Sequence, residues 1–140
     1  MFKAVLFVFY DKKTGKVLSE KRRADNAFYP NKLTFPAGTV EENETLETAL
    51  IREIAEEFAV TPVKYESLSD TPISGKGSAY LLYPFIITEW TGTLPETILD
   101  KGNPTVWETL DEVSKSDVTT RPMIVEMIKK YLKEYTLVIK

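Results

Sequence analysis

The stretch GTVEENETLETALIREIAEEFAV, residues 38–60, places seven glutamates between Glu41 and Glu57 and answers them with one basic residue, Arg52, a net charge of −6. Asn43 is a suitable N-cap for a helix running to about Phe58, with Glu44 and Glu47 near its positive end and Pro62 stopping it. At about 100° per residue, Glu53 and Glu57 share one face and Glu56 stands beside them. Leu46, Ala49 and Leu50 fall in the same sector, while Ile51, Ile54, Ala55 and Phe58 cover most of the other side. A helix apolar on both sides is a sandwiched helix, so these glutamates sit at the edge of buried surface. Glu56 and Glu57 also occupy the last turn, where the helix dipole disfavours each anion by ~0.3–1 kcal/mol. Like charges three and four apart cost a few tenths of a kcal/mol more. Every local effect opposes stability. A bound divalent cation is the simplest compensation, and an idle solvated acidic face is the plain alternative.

Composition narrows the chemistry further. The chain has 140 residues, 43% hydrophobic and 28% charged, which fits a single domain over residues 1–140. A net charge of −3 gives no electrostatic reason to expect a nucleic-acid polymer or an anionic membrane as partner. No apolar run approaches the ~18 residues of a membrane span, and MFKAVLFVFYDKK reads as a first strand rather than a signal peptide. The lack of cysteine rules out disulfides and thiolate zinc sites and fits a cytoplasmic protein. The lack of histidine removes Ser-His and Cys-His nucleophilic machinery and imidazole metal sites. Acid–base and metal chemistry then fall to carboxylates, lysines or tyrosines, and carboxylates select hard cations such as Mg²⁺ or Mn²⁺.

Along the chain, FKAVLFVFY reads as a buried strand, and the turn DKKTGK leads to its hairpin partner VLSEKRR. ADNAFYPN is a loop, and KLTFPAG a short strand closed by Pro36 and Gly38. VKYESLSDTPIS and AYLLYPFIITEW are further strands separated by GKG. TGTLPETILDKGNP is a loop and TVWETL another strand. RPMIVEMIKKYLKEY is a second amphipathic helix, with Pro122 near its first turn. Strands interrupted by two main helices predict an α+β arrangement, a mixed sheet with helices packed on it.

Gly38, five residues, Glu44, seven residues, then Arg52-Glu53-Ile54-Ala55-Glu56-Glu57-Phe58-Ala59-Val60 resembles the Nudix box, with Ala59 where the family pattern has its second glycine. EKRRADNAFYPNKLTFPAG is similar to the strand–loop–strand that precedes the box in MutT-type members. The resemblance implies an α/β/α sandwich that hydrolyses nucleoside diphosphates linked to another moiety, using Mg²⁺ or Mn²⁺. It implies that Glu53, Glu56 and Glu57 are metal-binding carboxylates, with the Gly38 carbonyl as a further ligand. Members differ in which residue takes the proton of the attacking water, so Glu53 and Glu57 are joint candidates. Arg52 would orient a catalytic glutamate, Glu44 would anchor the loop–helix junction, and Gly38 supplies a backbone shape that a side chain would obstruct. A left-handed residue past the helix end costs alanine roughly 1 kcal/mol or more, so the chain is expected either to bear that cost at Ala59 or to leave the helix differently.

The same resemblance assigns Arg23 to substrate phosphate, with Arg22 or Lys21 as substitutes, and Phe35 to a pocket that meets a base. Phe28, Tyr29 and Trp90 are looser stacking candidates, and Glu96, Asp100 and Glu108 are possible further ligands or bases. DVTTRPM has no asparagine where MutT-type proteins use one to read guanine, which argues against specificity for oxidised guanine. The expectation is a (d)NTP pyrophosphohydrolase releasing NMP and pyrophosphate, acting on a small nucleotide as monomer or homodimer. An ADP-ribose or ADP-sugar pyrophosphatase comes second, and a non-catalytic nucleotide-binding Nudix domain is the rival from another class.

Overall fold

The computed structural model describes residues 2–74 and 79–139, with side chains to residue 134. Its first strand, β1 (Phe2–Asp11), is buried on both faces, which is why its sequence is a nearly unbroken apolar run. It turns through Gly15, at φ +72°, into β2 (Lys16–Lys21), pairing Tyr10 with Val17 antiparallel. After a loop come β3 (Leu33–Thr34) and β4 (Ala37–Thr39), α1 (Leu46–Phe58), β5 (Thr61–Ser67), β6 (Tyr80–Thr91), β7 (Thr105–Thr109), α2 (Leu110–Ser114) and α3 (Thr120–Ile139). The sheet runs β3-β2-β1-β6-β5, with β4 also on β1 and β7 also on β2. The β1–β6 pair is parallel and the others are antiparallel.

Alternation along β1 divides the core into two layers. Val5, Phe7 and Phe9 pack with Leu50, Ile54 and Phe58 of α1. Leu6 and Val8 point the other way, toward Val113 of α2 and Ile124, Val125 and Ile128 of α3. This is the expected α/β/α sandwich around a mixed sheet. Trp90 belongs to the first layer, edge-on to Phe9 at 5.4 Å, so it packs rather than awaiting a base. Among the described residues, no helix is long and apolar enough to cross a membrane.

Several local expectations are corrected. KLTFPAG is two strands, because Pro36 carries no N–H and the chain changes neighbours there. Leu33–Thr34 stay on β2, whereas the Pro36 carbonyl accepts from Phe7 N at 2.9 Å and Ala37–Thr39 lie on β1. The cap of α1 is Thr45, whose hydroxyl accepts from Thr48 N at 3.0 Å; Asn43 sits at φ +68° in the preceding turn. The helix ends at Phe58, and Pro62 already lies in β5. Nor is α1 sandwiched: Ile51 is 38% exposed, and the buried stripe runs through Ala49, Leu50, Ile54, Glu57 and Phe58. Glu57 is therefore inside that stripe, not at its margin. A third, five-residue helix, α2, follows β7. The strand expected over VKYESLSDTPIS is β5, which begins earlier, at Thr61, and stops at Ser67, after which Ile73 makes an isolated bridge to Leu82; the GKG turn lies outside the described residues.

Candidate active site

The acidic face of α1 meets β4 where the sheet turns into the helix. A Cβ on Gly38 would lie 2.3 Å from Cγ and Cδ of Glu53, so only glycine leaves room for that side chain. Phe7 N bonds the Pro36 carbonyl and Val40 N bonds the Lys3 carbonyl, both at 2.9 Å. The alternation of an antiparallel ladder then turns the backbone groups of Gly38 toward its partner Val5 and those of Ala37 away. The oxygen facing the site is thus the Ala37 carbonyl, one residue before the expected Gly38.

Arg52 organises three of the glutamates. Its Nε and Nη2 grip both oxygens of Glu44 at 2.6 and 2.8 Å, and Nη2 also donates to the Thr39 carbonyl at 3.1 Å. Its Nη1 donates to Glu53 Oε1 at 2.9 Å and stands 3.3 Å from Glu56 Oε2. Glu44 also accepts from Glu41 N at 2.9 Å, which closes the turn before the helix. The bidentate Arg52 and this backbone donor hold the Glu44 carboxyl down to about 2. In return, the Glu44 pair holds Arg52 above the ordinary arginine range.

Glu57 is different: it is 0% exposed, and neither oxygen receives a well-angled hydrogen bond. Its near partner is Lys101, whose Nζ lies 3.0 Å from Glu57 Oε1 and donates to the Ala37 carbonyl at 3.1 Å. Burial pushes the Glu57 carboxyl up to about 8, against the pull of Lys101. Burial likewise opposes the charge of Lys101, but the attraction of Glu57, Glu20 and Asp100 outweighs it and raises the ammonium. The loop that delivers Lys101 is tied to the helix end by Leu99 N donating to the Glu57 carbonyl at 3.0 Å. It then turns through Gly102, at φ +72°, where Gly102 N bonds the Ile98 carbonyl at 2.8 Å.

Beside this cluster, and sharing Ala37 with it, lies a cavity of about 170 Å³. Phe35 forms its buried wall, Arg22, Phe28 and Tyr29 line it from the loop, and Thr120 and Arg121 from the start of α3. Phe28 is 65% exposed, so its ring is available at the cavity. Arg121 is 1% exposed and stacks 4.9 Å over the Phe35 ring. It bonds Ser19 and Glu108, which commits Glu108 to structural pairing. Arg121 Nε and Thr34 Oγ1 are buried without hydrogen-bond partners. Arg23 is exposed, paired with Asp25 at 3.3 Å, and its Nη1 lies against Gly102. Glu96 and Asp100 are exposed. A larger hollow of about 690 Å³ runs along β5, past Glu47 and Tyr65, and holds none of the expected site residues.

The donors suit a divalent cation in kind: carboxylates, a backbone carbonyl, and a buried Glu57 whose oxygens lack well-angled donors. Among the described residues, however, no three acidic side chains converge on one point. Arg52 draws Glu53 and Glu56 to itself while Lys101 holds Glu57.

The family model for the NUDIX domain matches residues 2–128. The chain therefore belongs to the Nudix family and is a Nudix hydrolase. Over 96 residues it is 31% identical to the 8-oxo-dGTP diphosphatase of Escherichia coli K12, covering 69% of this chain and 72% of that protein. The fold is similar to that of the MutT protein from Methanosarcina mazei Go1 (TM-score 0.72, 16% identity, 96% and 94% of the two chains). It is also similar to the NUDIX domain of Shewanella oneidensis NrtR, solved with ADP ribose (TM-score 0.73, 21% identity, 93% and 87% of the two chains).

Proposed function

We propose that this hydrolase is MutT-like and cleaves a nucleoside triphosphate to the monophosphate and pyrophosphate, with Mg²⁺ or Mn²⁺ as cofactor. The observation that carries the reading is the acidic face of α1, with Glu57 buried, beside an aromatic-walled cavity that is also lined by Ala37, whose carbonyl accepts from the Lys101 paired with Glu57. Nucleotide chemistry in the E. coli relative supports the substrate class.

Glu53, Glu56 and Glu57, with the Ala37 carbonyl of β4, would hold the cation. When bound, it supplies charge neutralisation on the diphosphate and a more acidic water. Arg52, fixed by Glu44, sets the orientation of Glu53. Glu53 and Glu57 are the candidates for receiving the water's proton, and burial raises the proton affinity of Glu57. Phe35, with Phe28 and Tyr29, offers surface to a base, while Arg22, which lines the cavity, and exposed Arg23 are the candidates for phosphate. Asp117–Met123 brings Val118, Thr120 and Arg121 to the cavity but no carboxamide, so a base other than oxidised guanine is favoured.

The test is incubation with Mg²⁺ or with chelator against dNTPs, oxidised dGTP, ADP-ribose and other nucleotide sugars, with products identified by mass. NMP plus pyrophosphate, formed only with metal, is expected, and Glu53→Gln and Glu57→Gln should each lower the rate roughly 10²–10⁴-fold. AMP plus a sugar phosphate would replace the substrate assignment. Wild-type rates in both variants would overturn the proposed roles of the two carboxylates.

A further inference from the structure

The chain carries a cation of its own inside the proposed metal site. Lys101 Nζ touches Glu57 Oε1 at 3.0 Å and the Ala37 carbonyl at 3.1 Å, the same kinds of oxygen that a divalent ion would take. Glu57 is wholly buried, and among the described residues its carboxylate is ion-paired with Lys101. The loop bearing Lys101 is fixed rather than loose: Leu99 is bonded to the Glu57 carbonyl, and Asn103 Nδ2 to Glu20 Oε2 at 3.0 Å.

We propose that Lys101 is a tethered competitor for the metal: its ammonium keeps Glu57 compensated in the empty enzyme and must leave before Glu57 can ligate a divalent ion. This rests on the metal-dependent reading given above. An ammonium and a divalent ion on the same carboxylate oxygen repel each other at contact distance, so each disfavours the binding of the other there. The outgoing ammonium is still on a short tether beside the phosphate-binding region, where it can meet an anionic substrate.

The test is Mn²⁺ binding without nucleotide, followed by the loss of the free-ion electron paramagnetic resonance signal. Groups adjoining metal ligands commonly shift affinity about 10–100-fold, and Lys101→Met should tighten Mn²⁺ by at least about tenfold. Lys101→Arg, which keeps the charge, should not tighten it. The metal-free melting temperature of Lys101→Met should fall, and Mn²⁺ should restore it more than it stabilises the wild type. A second measurement needs no variant: acylation of Lys101 by a small amine reagent, read by peptide mass, should accelerate in the wild-type protein once Mn²⁺ is bound. Equal Mn²⁺ affinity in Lys101→Met and wild type, or unchanged Lys101 reactivity on Mn²⁺ binding, would overturn the competition while leaving the metal site standing. Absence of Mn²⁺ binding in every form would overturn both.

Discussion

Ala59→Gly is expected to stabilise the protein, and the size of the gain follows from one backbone angle. Ala59 ends α1 at φ 55°, ψ 34°, with its N–H bonded to the Ala55 carbonyl at 3.0 Å. The chain does not leave the helix by another route; it accepts the left-handed residue and bears the strain. That conformation costs an L-residue about 1–2 kcal/mol. Glycine removes the cost but gains backbone freedom when unfolded, which takes back about 0.4–1 kcal/mol. The side chain of Ala59 is exposed, so little packing is lost. The net gain is roughly 0.5–1 kcal/mol, which for a domain of this size raises Tm by roughly 1–4 °C. Urea unfolding of both forms at equal slope, together with calorimetry, measures it. Turnover should not change, because the capping bond is made by backbone. A variant no more stable than the wild type would refute the assignment of strain to this residue.

Gly38→Ala should cost about 10²-fold in turnover while leaving the fold intact, since its Cβ would fall 2.3 Å from Glu53 and displace that carboxylate. Steady-state rates beside a circular dichroism melt separate the two effects. The Glu44–Arg52 pair should give an acid-sensitive component of stability. Glu44 titrates at about 2 when folded, against 4.5 as its ordinary value, so its contribution is complete above about pH 4.5 and disappears as the pH falls toward 2. Urea titrations at pH 6, 4 and 3 should show wild type losing more stability than Glu44→Gln over that range, and parallel losses would contradict the pairing.

Much of the fold was legible because long elements write their periodicity into the chain. β1 and β6 are apolar runs too rich in branched and aromatic residues to be mistaken, and the carboxylates of α1 keep a spacing that a helix converts directly into one face. What escaped notice was short or non-local. α2 has only five residues, too few for a helical period, although Thr109 and Glu112 form a capping box that could have revealed its start. Asn43 is as good a cap as Thr45 by residue type; the turn held by Glu44 decided between them. On the apolar side of α1, Ile51 and Ala55 suggested a second buried face, but side-chain identity does not reveal that both stay exposed in the folded chain. Lys101 and Arg121 carried no signal at all. The first is 44 residues beyond Glu57 in an irregular loop, and the second is a buried arginine defined only by where Glu108 and Ser19 end up.

The parallel pairing of β1 with β6 also sets a timetable for synthesis. Phe2 pairs with Tyr80 and Phe9 with Ile87, each partner 78 residues later in the chain. At about 5–20 residues per second, the ribosome releases β1 several seconds before β6 exists. During that interval Val5–Phe9, uncharged and strongly inclined to extended structure, has one edge open on the nascent polypeptide. The hairpin with β2 can close early at Tyr10 and Asp11, and β4 covers the other edge at Ala4–Leu6 as soon as residues 37–39 emerge. A ribosome paused before β6 would therefore display a sticky ribbon, and productive folding of this small enzyme depends on that wait being short or chaperoned.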